Sequence, residues 1–387
     1  MTATAIDYLI IGAGSMGLST ADWLARHSGA RVQLLDAFSP PHDQGAHHGE
    51  TRLLRQAYGE GSSYVPLARR ALELWKQLER ESGETLFLPT GVLNVGPPEA
   101  PFIGQVEASA REHGLALDSL TGDQAARRWP GWALDATMHG GFERDAGVLY
   151  VERILKCWRE RVARSPNVSL ATGAQVVRLE AGEQGGWEAV CADGRRFAAE
   201  RVLLSSGQHL APLMAGLGIE LPLTRVRKTF AWYESDARYA LGDFPGFSLT
   251  TPSGAIYYGF PDIDGAGFKI GRHDSGQPLP SGETMAAFGA CEDDVVELQQ
   301  VVDRYFPGVG ALRYGAVCQY IRTPDEHFLI DELLPGLLVA GGFSGHGFKF
   351  ASALGEALGI WLDQNRRLPE LALFAMTRFS SSEGHLS

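Results

Sequence analysis

The run Tyr8-Leu9-Ile10-Ile11 stops at Gly12-Ala13-Gly14-Ser15-Met16-Gly17, which supplies the residues a dinucleotide requires in the order it requires them. Gly12 permits a tight turn, Gly14 lets the backbone approach a pyrophosphate, and Gly17 lets the next helix pack closely on the strand. Leu18, Ala21, Leu24 and Ala25 then recur at helical spacing, so the N–H groups that open this helix face the phosphates. A second apolar run, Val32-Gln33-Leu34-Leu35, ends at Asp36, about twenty residues beyond the last glycine, where a carboxylate accepts hydrogen bonds from ribose hydroxyls. That carboxylate disfavours the 2′-phosphate of NADP; the turn alone leaves FAD and NAD open.

One further feature carries charge where charge is costly. Lys269 stands in Gly267-Phe268-Lys269-Ile270-Gly271, an apolar run in which an ammonium must reach water or an anion. Lys349 follows a glycine-rich turn that opens a second helical stretch, Ser352 to Asp363. The four cysteines, Cys157, Cys191, Cys291 and Cys318, are scattered, with no C-x-x-C and no histidine pair at zinc spacing, so neither a disulfide framework nor a metal site is expected.

The elements that must position these residues alternate in texture. With 387 residues the chain exceeds what one core usually serves, and two interlocked domains are expected. A helix is predicted over Ser62 to Ser82, with Leu67, Ala71, Leu72 and Trp75 on one face, and another over Glu152 to Val162. After Leu86 short runs broken by glycine and proline indicate a change to antiparallel sheet. Arg201 to Ser206 reads as a strand ending at Gly207. From about Leu223 to Val317 the chain is strand-rich, interrupted by a helix near Asp293 to Tyr305, and Leu337 to Ala340 forms a last strand. A net charge of −12 argues against a nucleic-acid partner, and no apolar stretch reaches the length of a membrane span. The opening MTATAIDYLIIGAG lacks the charged start and cleavage site of a signal peptide, so a cytoplasmic protein is expected.

The segment Gly45-Ala46-His47-His48-Gly49-Glu50-Thr51-Arg52-Leu53-Leu54-Arg55-Gln56-Ala57-Tyr58-Gly59-Glu60-Gly61 resembles the monomeric sarcosine oxidase and N-methyltryptophan oxidase family of FAD-dependent amine oxidases. Further matches are Tyr257-Tyr258-Gly259-Phe260-Pro261, Lys269-Ile270-Gly271, Gly315-Ala316-Val317-Cys318, Thr323 to Phe328 and Gly342 to Phe350, in the expected order along nearly the whole chain. The resemblance implies an α/β fold. Its FAD-binding Rossmann-like (glutathione-reductase-like) domain is discontinuous, over 1–87, 145–221 and 319–380. An interleaved α+β substrate domain on a mixed sheet covers 88–144 and 222–318.

The resemblance also implies roles. Cys318 matches the cysteine that forms a thioether to the flavin 8α-methyl carbon, a step that nearby positive charge would favour. Lys269 matches the cation beside flavin N5 that speeds oxygen reduction. Arg55 and Lys349 match the pair that holds the substrate carboxylate. His48 and Arg52 match residues beside the flavin ring; Tyr258 and His273, with Tyr320, line the substrate cavity. Cofactor contacts are expected at Gly12, Gly14, Ser15, Met16, Gly17, Asp36, Val176 and Gly207. Gly345, His346, Gly347, Phe348 and Lys349 are expected where reduction places negative charge on the flavin.

The expected reaction is oxidative demethylation of an N-methyl amino acid, sarcosine or N-methyl-L-tryptophan, by O2. Its products are formaldehyde, the primary amino acid and hydrogen peroxide. A cyclic secondary amino acid such as pipecolate or proline is the alternative substrate, and a flavin dehydrogenase passing electrons to a partner is the alternative of another class. A monomer is expected, whose partners are a carboxylate-bearing secondary amine and oxygen.

Overall fold

The apolar run before the glycine turn forms the strand Ile6–Ile11, which lies between two parallel neighbours, Val32–Leu35 and Arg196–Leu204. Leu9, Ile10 and Ile11 are all buried, as expected of a parallel strand covered on both faces. These strands come from a computed structural model that describes residues 6–183, 185–280 and 282–379. The first five residues read for a leader, and residue 380 at the expected end of the last FAD-binding segment, lie outside the described residues.

Val168–Ala171 extends the sheet beside Val32–Leu35. The edge of Arg196–Leu204 away from Ile6–Ile11 is long enough to serve two partners. Its first half pairs antiparallel with Trp187–Cys191, and its second half pairs parallel with Leu337–Gly341. The helices Val151–Arg164 and Ala351–Gln364 both pack against Ser15–His27. Gly355 is required there, since a Cβ would lie 2.5 Å from the Ser19 side chain. These elements make one compact unit, comprising the chain up to Glu50, Val151–Arg225 and the chain from Tyr320 onward.

The second unit comprises Thr51–Tyr150 and Val226–Gln319. Its nine-stranded sheet runs Gln277–Pro278, Thr224–Ser235, Phe268–Arg272, Ile256–Phe260, Gly246–Thr250, Val92–Gly96, His139–Glu143, Asp118–Thr121, with Val309–Arg322 also paired to Thr224–Ser235. The sheet is mixed: Gly246–Thr250 runs parallel to Val92–Gly96, whereas the neighbouring pairs at Phe268–Arg272, Ile256–Phe260 and His139–Glu143 are antiparallel. Alternation along strands puts Ala231, Tyr233, Phe268, Ile270, Tyr257, Phe247, Leu249, Leu93, Val95 and Phe142 on one face. All ten belong to one apolar cluster, which the helix Asp293–Tyr305 covers with Leu298, Val301, Val302 and Tyr305.

The boundary between the compact units falls at 50/51, not at the 87/88 expected for the end of the first FAD-binding segment. Long-range pairing is the reason. Thr51–Leu54 pairs with Gly147–Tyr150, and Phe87–Leu88 joins the same strand. The helix expected from Ser62 begins as a 3-10 turn, Ser62–Tyr64, and becomes α-helical over Val65–Ser82, with Pro66 in its first turn and Gly83 at φ 73 ending it.

Candidate active site

In the first unit the three turn glycines divide their work. A Cβ on Gly12, whose φ is +100, would lie 2.6 Å from the Ser205 carbonyl oxygen, and one on Gly17 would lie 1.9 Å from the Gly12 oxygen. A Cβ on Gly14 would meet only the His47 ring, at 3.7 Å. The first and third glycines are therefore packing residues, and the second leaves space for a ligand. Ser15 and Met16 open the helix Ser15–His27, which has no side-chain cap and no acid in its first turn. Its N–H groups are thus left to an anion.

Asp36 accepts hydrogen bonds from Ala13 N–H at 2.7 Å and Phe38 N–H at 2.8 Å, with His42 Nε2 3.3 Å from its Oδ1. Burial pushes this carboxyl up, but the His42 ring and the two N–H groups outweigh it and hold it below the ordinary carboxylate value. Ser206 lies against Gly12, and its buried hydroxyl has no hydrogen-bond partner among the described residues. An open glycine, an uncapped helix start, an ionised Asp36 and an unsatisfied Ser206 hydroxyl fit the diphosphate and ribose of FAD. Gly207 begins the 3-10 turn Gly207–His209 next to Ser206, and Val176 is a buried member of the apolar cluster containing Leu9, Ile11 and Leu35. Of the two adjacent histidines, His48 is half-buried, and it is His47, given no role from sequence, whose ring sits against Gly14.

The turn Gly342 to Gly347 is bound from below. Ser344, at φ 47, donates its N–H to the Ile321 carbonyl at 2.9 Å. His346 Nε2 is 3.0 Å from the Glu326 carbonyl oxygen, and the ring lies tilted against Phe328 at 4.7 Å. Tyr320 lies under Gly345, where a Cβ would be 2.1 Å from its ring. The structure thus gives Tyr320 a packing contact with this turn. Lys349 is buried in the 3-10 turn Phe348–Phe350, directly before the uncapped helix Ala351–Gln364.

In the second unit, the sheet face opposite the apolar cluster carries Lys228, Phe230, Trp232, Lys269, His273, Tyr258, Phe260, Asn94 and Glu143. Tyr314 stacks on Trp232 at 4.4 Å, and alternation along its strand carries the same face to Cys318. Lys269 donates to the Thr51 hydroxyl at 3.1 Å, and Arg52 donates to the Thr51 carbonyl at 2.8 Å. The Lys228 ammonium donates to the His273 carbonyl at 3.1 Å and to the Ser275 carbonyl. Burial pushes the Cys318 thiol up, while the charges of Arg52, Lys228 and Lys269 act against it. Three positive charges thus act on Cys318, and burial nonetheless leaves its thiol above the ordinary value. Tyr258 and His273 are both half-buried; Tyr258 stands opposite Gly271, where a Cβ would be 2.8 Å from its hydroxyl.

Arg55 is buried. One guanidinium nitrogen reaches both oxygens of Glu60, at 2.8 and 3.1 Å, the other lies 3.4 Å from Asn94 Oδ1, and the rings of Tyr58 and Phe102 flank the group at 5.1 and 4.8 Å. Glu143 accepts the N–H groups of Gln56 and Ala57, which fixes the backbone just after Arg55. Burial raises its carboxyl above the ordinary value. Sequence reasoning named neither Glu60 nor Glu143 as part of the site, and it missed Lys228 and Trp232. Lys228, flanked by Arg227 and Thr229, carried no local signal, and neither did Glu143.

The chain matches the family described as FAD dependent oxidoreductase over residues 7–359. It is 38% identical over 383 residues to monomeric sarcosine oxidase of Bacillus sp. (strain B-0618), covering 97% of both chains. It is 39% identical over 378 residues to N-methyl-L-tryptophan oxidase of Citrobacter koseri, covering 97% of this chain and 99% of that one. Among solved structures, NikD, an unusual amino acid oxidase essential for nikkomycin biosynthesis, superposes with a TM-score of 0.83 at 21% identity over 96% of this chain and 98% of that chain. The match to the family model and to full-length relatives agrees with the dinucleotide turn built above, and this chain belongs to the FAD-dependent oxidoreductase family.

Proposed function

We propose that this enzyme oxidises N-methyl amino acids of the sarcosine or N-methyl-L-tryptophan class, with O2 as acceptor and with FAD attached through Cys318. The observation that carries the reading is Arg55, a buried guanidinium whose nearest anion is Glu60 and whose other nitrogen meets Asn94, a residue of the sheet face that also bears Lys269. A substrate carboxylate can take over the donors that Glu60 occupies. A simple amine offers nothing to replace Glu60.

The bound flavin supplies the acceptor for the hydride equivalent leaving the N-methyl carbon and for the later transfer of electrons to oxygen. Arg55 orients the substrate through its carboxylate. Lys269 presents a fixed ammonium to the negative charge that develops on oxygen. Tyr258 and His273 shape the space beside that face. Water then releases formaldehyde and the primary amino acid, and O2 leaves as hydrogen peroxide.

The test is a peroxide-coupled screen of sarcosine, N-methyl-L-tryptophan, N-methylalanine, pipecolate and proline, with dimethylamine as the amine lacking a carboxylate. Turnover of dimethylamine as efficient as that of the best amino acid would sink the reading. Acid precipitation tests the attachment separately: the pellet of the parent is yellow, and that of Cys318→Ser is colourless.

A further inference from the structure

Lys269 is 3% exposed, and its buried ammonium donates to the Thr51 hydroxyl at 3.1 Å. Three aromatic rings surround it: Trp232 at 4.6 Å, Phe230 at 5.0 Å and Phe260 at 5.1 Å from Nζ. The arrangement follows from strand register. Trp232 and Phe260 are the direct cross-strand partners of Lys269 on its two sides, and Phe230 is one alternation further along. The face of each ring is the negative end of its quadrupole, so three rings converging on one ammonium restrict where it can sit. Trp232 approaches closest and is itself braced. Phe230 meets its edge at 5.2 Å, and the half-exposed Tyr314 stacks on it at 4.4 Å with an interplanar angle of 21°.

We infer that Trp232, braced by Tyr314, is a positioning residue that sets the place of the Lys269 ammonium and thereby the rate at which the reduced enzyme reacts with oxygen. The inference rests on the reading of Lys269 as the oxygen-site cation. Trp232 touches neither substrate nor oxygen in this role; it acts through Lys269. An ammonium free to leave the ring face spends less time where it stabilises charge on oxygen, so the effect falls on reoxidation and not on substrate oxidation.

The test compares the Trp232→Leu, Trp232→Phe, Tyr314→Ala and Lys269→Met holoenzymes by stopped flow, with the two half-reactions measured separately. Trp232→Leu is expected to slow reoxidation about 30-fold, the factor equivalent to losing one desolvated cation–π contact. Reduction by substrate should stay within about twofold of the parent. Trp232→Phe, which keeps a ring face, should recover most of the rate, and Tyr314→Ala should cost about twofold. A readout independent of turnover is acetylation of Lys269 by acetic anhydride, followed by peptide mass mapping: Lys269 should be protected in the parent and in Trp232→Phe, and modified faster in Trp232→Leu. The inference is overturned if Trp232→Leu reoxidises at the parent rate while Lys269→Met is slow. It is equally overturned if Trp232→Leu slows both half-reactions alike and Trp232→Phe does not recover. Parent-like reoxidation of Lys269→Met would instead remove the underlying reading of Lys269.

Discussion

The two faces of the nine-stranded sheet are built from the same strands and differ by one residue of alternation. Phe268 points into an apolar cluster sealed by the helix Asp293–Tyr305, while Lys269, next in sequence, points to the opposite face among Trp232, Phe260 and Thr51. On the first face, burial of hydrocarbon stabilises the fold. On the second, buried charges cost stability and are kept in place by rings, carbonyls and carboxylates. The contrast teaches that the stable face is what allows the other to remain charged.

The sharpest way to break this comparison is to mutate neighbours. Phe268→Ala should cost about 3–5 kcal/mol of unfolding free energy, read from denaturant midpoints, because it empties a fully buried aromatic site. Lys269→Met should leave the midpoint near that of the parent and slow reoxidation about 10²–10³-fold. Comparable destabilisation by both would show that the faces do not differ as described.

The clamp at the edge of the apolar face comes next. Arg227 and Asp294 form a buried pair with two contacts of 2.7 Å, and Arg227 also holds the Ala286 and Ala287 carbonyls. Burial pushes the Asp294 carboxyl up, but the hydrogen bond and charge of Arg227 together with the backbone hydrogen bonds at Gly289 and Cys291 outweigh it and hold the group below its ordinary value of 3.8. Its stabilisation is therefore fully present above that ordinary value and is lost as pH falls through the lowered one. Asp294→Asn should destabilise by about 3 kcal/mol at neutral pH. The difference from the parent should shrink in acid, and a difference constant down to the acid transition would contradict the pairing.

Smaller effects sharpen the description of the charged face. Arg55→Leu should raise KM for an N-methyl amino acid by about 10- to 100-fold, the value of charge-assisted hydrogen bonds to a carboxylate, with kcat less affected. Glu60→Gln should act in the opposite direction and lower KM about two- to fivefold, since the carboxylate no longer competes with a charged partner of Arg55. A KM unchanged in Glu60→Gln would mean that the substrate does not displace this pair.

Legibility followed sequence separation. The strand Val32–Leu35 and the helix Asp293–Tyr305 have the bounds read from apolar periodicity, because that pattern is local. The glycine turn was legible for the same reason: a positive φ at Gly12 and the contact of Gly17 with Gly12 arise within six residues. The assignment of 51–87 was not legible, because the pairing of Thr51 with Tyr150 spans a hundred residues without a local signal. Nor was Glu143 beneath Gln56 and Ala57, or His47 against Gly14.

By itself the sequence determined which residues could carry charge, nucleophilicity and a dinucleotide turn, since those depend on residue type and short spacing. Only the tertiary structure decided their company: three cations acting on Cys318, and three rings around Lys269. The physical reason is register. Cross-strand partners are set by pairing between distant segments, and a shift of one residue would have exchanged the charged face for the apolar one.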